Sequence, residues 1–298
     1  MRLLIVGHGY TGREVARQAR AAGIDVLVTT RGTPGPGLIP FAEAGRALAA
    51  TTHLLVTAPP AEGLGDPFLA AHGAALPGGL VWAGYLSTTG VYGDRAGAWV
   101  DEATAPAPTQ PRSLRRLAAE EAWRAAAAGR FALDIFRIAG IYGPGRSVIE
   151  ELLAGTARRV IKPGHAFSRI HVEDIGRAVL AAMARPPAPG TARVLHLADD
   201  EPAASADVLA YAARLLGLPL PPAIAYEQAE PAMSPMARSF WAENRRVANA
   251  ATKAALGLAW AYPSYREGLA AIIRRTAAPP PAPAAPDPAG GRGDDPPP

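Results

Sequence analysis

The 298-residue chain contains no cysteine. Disulfides, thiolate metal sites and a cysteine nucleophile are therefore excluded. Lysine is nearly as scarce: of 30 basic residues only Lys162 and Lys253 are lysines, and the rest are arginine. There is no block of five or six like charges. The net charge of +4 is thinly spread, so neither a nucleic acid nor an anionic membrane is indicated as a partner. No apolar run has the length needed to cross a bilayer. The opening "MRLLIVGHGY" reaches glycine too soon for a secretory signal. A soluble cytoplasmic protein is expected. The six histidines show no metal-ligand spacing, and no metal is expected. Hydrophobic residues, at 49% of the chain, are plentiful. They suffice for one large domain or a domain with a smaller lobe.

Apolar runs alternate with helical patterns over the first half. "RLLIVG", "IDVLVTT", "THLLVTA", "GLVWAGYLS" and "FALDIFRI" read as strands buried on both faces. "GREVARQARAAG", "FAEAGRALAA" and residues 113–128 read as helices between them. This alternation argues for an α/β doubly wound parallel sheet. After about residue 141 it loosens. "SVIEELLAG", "VEDIGRAVLAAMAR", "SADVLAYAARLLGL" and "SYREGLAAIIRR" are expected helices, "RRVIKPG" and "ARVLHLAD" expected strands, and 218–235 is broken up by proline. The expected division is a dinucleotide domain of 1–140 with 168–198, and a smaller lobe of 141–167 with 199–276. Residues 277–298 hold nine of the 31 prolines and no large apolar side chain, the composition of a disordered tail.

"GHGYTG" places Gly7, Gly9 and Gly12 in the spacing G-x-G-x-x-G, after a buried strand and at the start of a helix. Glycines there let the backbone approach a pyrophosphate, and the helix start, with Tyr10 and Thr11, offers unpaired N–H groups. Sites that prefer NAD carry an acid at the end of the second strand for the ribose 2′-hydroxyl. Here Asp25 stands at the beginning of that strand, and Thr30 and Arg31 stand at its end. A guanidinium at that place suits a 2′-phosphate, so the expected cofactor is NADP, with NAD as the alternative. A solvated loop arginine is the competing reading of Arg31.

"YLSTTGVYGD" (85–94) and "FRIAGIYGPG" (136–145) leave the ends of two strands, and "SRIHVEDIGRAV" (168–179) follows. With the glycine loop these resemble the extended short-chain dehydrogenase/reductase superfamily, the NAD(P)-dependent epimerase/dehydratase group. The resemblance continues to "NRRVANAATKAALGLAWAYPSYREGL" and covers nearly all of 1–275. It implies a Rossmann-type fold with a C-terminal substrate lobe and an unidentified small-molecule substrate, nucleotide-sugar-like among the options; two arginines beside the cleft would suit an anionic one, a carboxylate or phosphate. It also implies a tendency to dimerise through helices of the cofactor domain. Thr88 falls at the Ser/Thr that hydrogen-bonds the reacting group. Thr57, Ala58 and Pro59 fall beside the adenosine ribose and pyrophosphate, and Tyr142, Gly143 and Pro144 beside the nicotinamide. Arg169 and His171 fall near the substrate lobe. Arg169 reads equally as a partner of Glu173 or Asp174, and His171 reads first as a satisfied, partly buried imidazole.

The family's helix carries Tyr-x-x-x-Lys. In "PRSLRRLAAEE" (111–121) the resemblance puts Arg112 at the tyrosine and Arg116 at the lysine. Four residues apart, they share one helical face, with Glu120 one turn further on. No tyrosine of the chain has a lysine four residues on. Arg116 remains a cation able to bind ribose hydroxyls. Arg112 cannot act as the general acid/base, because a guanidinium stays protonated near neutral pH. The expectation is an atypical oxidoreductase or epimerase-like enzyme whose acid/base is another group, Tyr92 or a water held by Thr88. Arg112 and Arg169 are then substrate anchors. The alternatives are a catalytically weak NADP(H)-binding sensor, and two solvated arginines on an exposed face.

If Arg31 clamps a 2′-phosphate, NADPH binds more tightly than NADH at fixed salt. Arg31→Ala then weakens NADPH by about 1–3 kcal/mol, the range for a lost charge-assisted hydrogen bond. Tighter NADH binding, or an unchanged NADPH affinity in the variant, contradicts the assignment.

Overall fold

The computed structural model describes residues 1–62 and 65–277. Seven strands form one sheet, every neighbouring pair parallel. Across the sheet they run Leu38–Pro40, Asp25–Thr30, Arg2–Val6, His53–Val56, Trp82–Thr88, Ala132–Ile138 and Ala192–Leu197. The apolar runs explain this placement. Leu3 and Ile5 enter one core cluster while Leu4 and Val6 enter another, as a period-two strand covered on both faces requires.

One face is covered by the helices Tyr10–Ala21 and Val172–Ala184, whose Val15, Ala16, Ala19, Ile175, Val179 and Ala182 are buried. The other face is covered in part by Pro111–Ala127. Its Trp123 stacks on Phe68 and Tyr85, with ring centroids 6.1 and 6.2 Å away. The strand order reverses at Arg2–Val6, which has Asp25–Thr30 on one side and His53–Val56 on the other. In open parallel sheets a ligand crevice forms at such a reversal, outside the carboxyl ends of the strands. This is the Rossmann-type arrangement that the alternation of runs predicts.

The structure differs from the sequence reading in detail. "FAEAGRALAA" forms a 3₁₀ turn, Phe41–Glu43, and only a short helix, Ala44–Leu48. The strand Leu38–Pro40 was not expected. It sits at the sheet edge, where a proline without an N–H is tolerated. The helix Pro67–His72 was also missed; Asp66 caps it by accepting from the N–H groups of Phe68 and Leu69. Within 218–235, Ala223–Ala225 pairs in parallel with Arg159–Ile161 and runs into the helix Tyr226–Ala229. The helices Val148–Leu153, Ser205–Leu216 and Tyr265–Ala277 share a separate apolar cluster around Ile149, Leu209 and Leu269. Ala277 ends the last helix; 278–298, the rest of the expected tail, lie outside the described residues.

A charged group lies inside this apolar frame. Glu120, fully buried on the helix Pro111–Ala127, accepts from Arg137 Nη2 at 2.7 Å and Nε at 3.2 Å, and from the Ser87 hydroxyl. Arg137 also donates to the Tyr92 hydroxyl at 2.8 Å. His196 Nδ1 donates to Ala248 O, 2.8 Å away, so in the neutral imidazole Nε2 accepts from Tyr92. Burial lowers the His196 pKa, which favours this neutral form. Removing one partner of a buried pair strands the other charge. Glu120→Ala should therefore cost about 3–5 kcal/mol of unfolding free energy in urea. Arg2→Ala, which breaks the exposed pair with Asp25, should cost less than about 1 kcal/mol. Equal costs would contradict this reading of the network.

Candidate functional site

The first part of the site lies where the strand Arg2–Val6 ends. Gly7 has φ +110°, and its N–H donates to Thr29 Oγ1 at 3.1 Å. Thr57, just past the strand His53–Val56, donates its hydroxyl to Val6 O at 2.9 Å. A Cβ on Gly7 would lie 2.6 Å from Thr57 Oγ1, and one on Gly12 would collide with Gly7 O. The loop closes this tightly only with glycine at both places. Gly9 differs: nothing lies within 4 Å of its missing Cβ, so the space above it is open. Gly9 caps the helix Tyr10–Ala21 without a side-chain hydrogen bond, and the first turn holds no acid. Open room over Gly9, uncapped N–H groups and the positive end of a helix fit a pyrophosphate.

Thr57 and Ala58 lie against Gly7 in this loop, and Pro59 follows them in the chain. The Tyr10 hydroxyl donates to Pro144 O at 3.0 Å, linking the glycine loop to the loop 142–145. Burial pushes its pKa up to about 12, so it stays protonated. At the end of the second strand, Thr30 Oγ1 accepts from Gly32 N at 2.9 Å. Arg31 is exposed and has no ion pair among the described residues. Asp25 is held by Arg2 at 2.6 Å at the opposite end of that strand.

The second part is a cleft of about 490 Å³ at the carboxyl ends of the strands Trp82–Thr88 and Ala132–Ile138. It brings together Thr88, Arg112, Arg116, Tyr142 and Arg169, all of them candidates from the sequence. Thr88 Oγ1 accepts from Gly90 N at 3.1 Å, which leaves its own proton free to donate into the cleft. Arg116 donates to Leu86 O at 2.8 Å and to the Tyr85 hydroxyl at 3.1 Å. Glu120, the neighbour one turn on, is taken by Arg137 instead. Arg112 stacks over the Phe240 ring, 4.0 Å from its centroid, and points one N–H at Met236 Sδ, 3.1 Å away. Among the described residues it has no oxygen partner. It is thus neither ion-paired nor simply solvated.

Arg169 pairs with neither Glu173 nor Asp174. Those carboxylates go to Arg275 and Arg177, and Arg169 donates to Phe167 O and Ala203 O at 2.8 and 2.9 Å. His171 caps the helix Val172–Ala184 by accepting from Glu173 N at 3.3 Å, while its buried Nε2 has no partner. Tyr92 does not line the cleft. Its ring is fully buried, and its hydroxyl is held by Arg137 and His196.

Several lining residues went unnoticed in the sequence. Ser113 follows Arg112, and its position in the first helical turn facing Thr88 could have flagged it. Phe240 and Trp241, on the short helix Pro235–Trp241, belong to a stretch with no usable periodicity. Glu243 and Arg245 pair with each other at 2.7 Å. Asp199 lies behind Arg169, where neither carboxyl oxygen has a hydrogen-bond partner. Burial pushes its pKa up to about 8, and it makes no ion pair with Arg169; among the described residues Arg112, Arg116 and Arg169 all lack a carboxylate within ion-pair distance. The cleft is accordingly electropositive. Among the described residues no three His, Asp or Glu side chains are placed to hold a metal ion, and no helix is long and apolar enough to cross a membrane.

Residues 80–198 match the model of the NAD dependent epimerase/dehydratase family. A solved structure of a functionally unknown conserved protein from Silicibacter pomeroyi DSS is 46% identical. The similarity covers 92% of this chain and 98% of that one, with a TM-score of 0.81. The human epimerase family protein SDR39U1, solved with NADPH, shares the fold at 18% identity; 92% of this chain and 99% of that one align, with a TM-score of 0.73. A 3-diazoavenalumate denitrifying reductase from Streptomyces is 34% identical over 173 residues, 55% of this chain. The chain spans about half, 54%, of the length of that curated relative. Residues 80–198 thus match the NAD dependent epimerase/dehydratase family, and the fold of the whole chain supports the extended short-chain dehydrogenase/reductase superfamily.

Proposed function

We propose that this chain is an NADP(H)-dependent reductase acting on a small acid that carries an aromatic ring. The observation behind the proposal is Arg112. It stands where the family places its acid/base tyrosine, lines the cleft and stacks on Phe240, yet has no oxygen partner. A half-buried guanidinium that has only a sulfur and a ring face as partners keeps N–H groups for a carboxylate. The aromatic edges of the same cleft, Tyr142, Phe167, Phe240 and Trp241, suit a flat ring better than a polyhydroxylated sugar. The reductase name of the Streptomyces relative, and its substrate name, point the same way. Segments 141–167 and 199–276 would make up the substrate lobe.

In this reading Gly7, Gly9 and Gly12 with the start of the helix Tyr10–Ala21 hold the pyrophosphate. Thr30 and Arg31 hold the 2′-phosphate, and Thr57, Ala58 and Pro59 flank the adenosine side. Tyr142 borders the nicotinamide pocket, and Arg116 faces the ribose. When bound, the reduced nicotinamide supplies a hydride. The chain's own residues orient the acceptor: Arg112 and Arg169 take the substrate's negative charge, and Thr88 donates its free proton to the oxygen that gains charge. Tyr92 has no part in this, since its hydroxyl is committed inside the core. An NADP(H) sensor without turnover is the second reading, favoured by the lack of a tyrosine or other acid/base side chain at Arg112.

The test is reduction of phenylglyoxylate, an aromatic 2-oxo acid, followed by NADPH absorbance. Arg112→Ala should raise KM about 10- to 100-fold, matching about 1.5–3 kcal/mol for a charge-assisted hydrogen bond. The Kd for NADPH should stay within about twofold, because Arg112 is assigned to the substrate rather than the cofactor. A KM unchanged by the substitution would sink the anchor assignment. Tight NADPH binding with no oxidation by any aromatic or 2-oxo acid would favour the sensor.

A further inference from the structure

The cleft contains a buried hydroxyl to which the sequence assigns nothing. Ser113 is 1% exposed and lines the cleft beside Thr88 and Arg116. Its Oγ has no hydrogen-bond partner among the described residues. Two observations show where it points. A Cβ on Gly90 would lie 2.8 Å from Ser113 Oγ and 3.4 Å from Thr88 Oγ1. Both hydroxyls therefore lie against the same spot above Gly90 in the cleft wall, where they leave no room for a side chain on that residue. The helix Pro111–Ala127 begins here with no side-chain cap, proline in its first turn and no acid there. Ser113 lies in that first turn, so the positive end of the helix is close to the two hydroxyls. The residue is buried but its hydroxyl borders the cleft without a protein partner, so it is available to a group bound there.

We infer that Ser113 and Thr88 together form the pocket for the substrate's carbonyl oxygen, and that Ser113 is a catalytic residue. This rests on the reductase reading above. When bound, a reduced nicotinamide would supply a hydride to the carbonyl carbon and be left oxidised, and the carbonyl π pair would move to oxygen. The oxygen becomes an alkoxide, then takes a proton from water to complete the alcohol. Two hydroxyl donors, the helix end and the nearby Arg112 charge stabilise that oxygen while it carries the negative charge. The site compensates for the missing tyrosine by stabilising charge, not by delivering a proton from a side chain that titrates near neutral pH.

Binding of phenylglyoxylate and phenylacetate to the NADP⁺-loaded protein separates the roles. The two probes share the ring and carboxylate and differ in the keto oxygen. Calorimetry on the wild type should show phenylglyoxylate binding at least about fivefold more tightly, as expected for one added hydrogen bond. Ser113→Ala should erase most of that gap and leave the phenylacetate Kd within about twofold, while Ser113→Thr restores it. For phenylglyoxylate reduction, Ser113→Ala should lower kcat roughly 10- to 100-fold with little change in KM, as for loss of a donor to a developing oxyanion. A wild type without the gap, or a Ser113→Ala protein that keeps both the gap and kcat, overturns the assignment. A wild type that shows the gap, loses it in Ser113→Ala, and still does not oxidise NADPH defeats the reductase reading and leaves the hydroxyl pocket standing.

Discussion

The buried carboxylate of Glu120 sets the geometry of everything near the cleft. It lies on the same helical face as Arg112 and Arg116, one turn beyond the second. It accepts from Arg137 on one central strand and from Ser87 on the next. Ser87 precedes Thr88 directly. The helix Pro111–Ala127 is therefore pinned against both strand ends at once, and the positions of Arg112, Ser113 and Arg116 relative to Thr88 follow from that docking. A buried ion pair adds little net stability over apolar packing. Its value here is register, since a slip of one helical position would turn all three side chains away from the cleft.

This explains the stripe of two arginines followed by an acid. Like charges four apart disfavour a free helix. In the folded chain each has a separate outlet. Arg116 is discharged onto the backbone and phenol of the strand Trp82–Thr88, and Arg112 onto an aromatic face and a sulfur. Neither needs Glu120, which leaves that carboxylate for Arg137. With Glu243 taken by Arg245 and Asp199, its pKa raised by burial, making no ion pair with Arg169, the cleft keeps its positive charge. The preference proposed for an acid follows from that balance.

Much of the fold was legible because the strands of a doubly covered parallel sheet read as unbroken apolar runs. Arg2–Val6, His53–Val56 and Ala132–Ile138 were readable on that signal alone. The glycine loop was readable because three glycines stand at fixed offsets between a strand and a helix. Other parts carried no such signal. The strand Leu38–Pro40 is three residues long and ends in proline, and the helix Pro67–His72 has too few turns for a period. In the site, Thr88, Arg112, Arg116 and Arg169 were found, but their partners were not, because hydrogen bonds such as Arg169 to Ala203 join residues 34 positions apart. Phe240 and Trp241 end a seven-residue helix just after the proline-broken stretch 218–235, too short to show a period, and reach the cleft through tertiary packing. Tyr92 looked available beside Thr88 because nothing local reveals that Arg137 and His196 occupy its hydroxyl.

The central claim is that the arginine in the tyrosine position is a substrate anchor in an electropositive, aromatic cleft. A crystal structure of the protein with NADP⁺ and phenylacetate tests it most directly. The account predicts the carboxylate within hydrogen-bond distance of the Arg112 guanidinium and the phenyl ring against Phe240 or Trp241. It also predicts Arg116 on the ribose side, with Thr88 and Ser113 facing the carbon next to the carboxylate. Arg112 turned into bulk solvent, or bound to the cofactor while the carboxylate lies elsewhere, would contradict it.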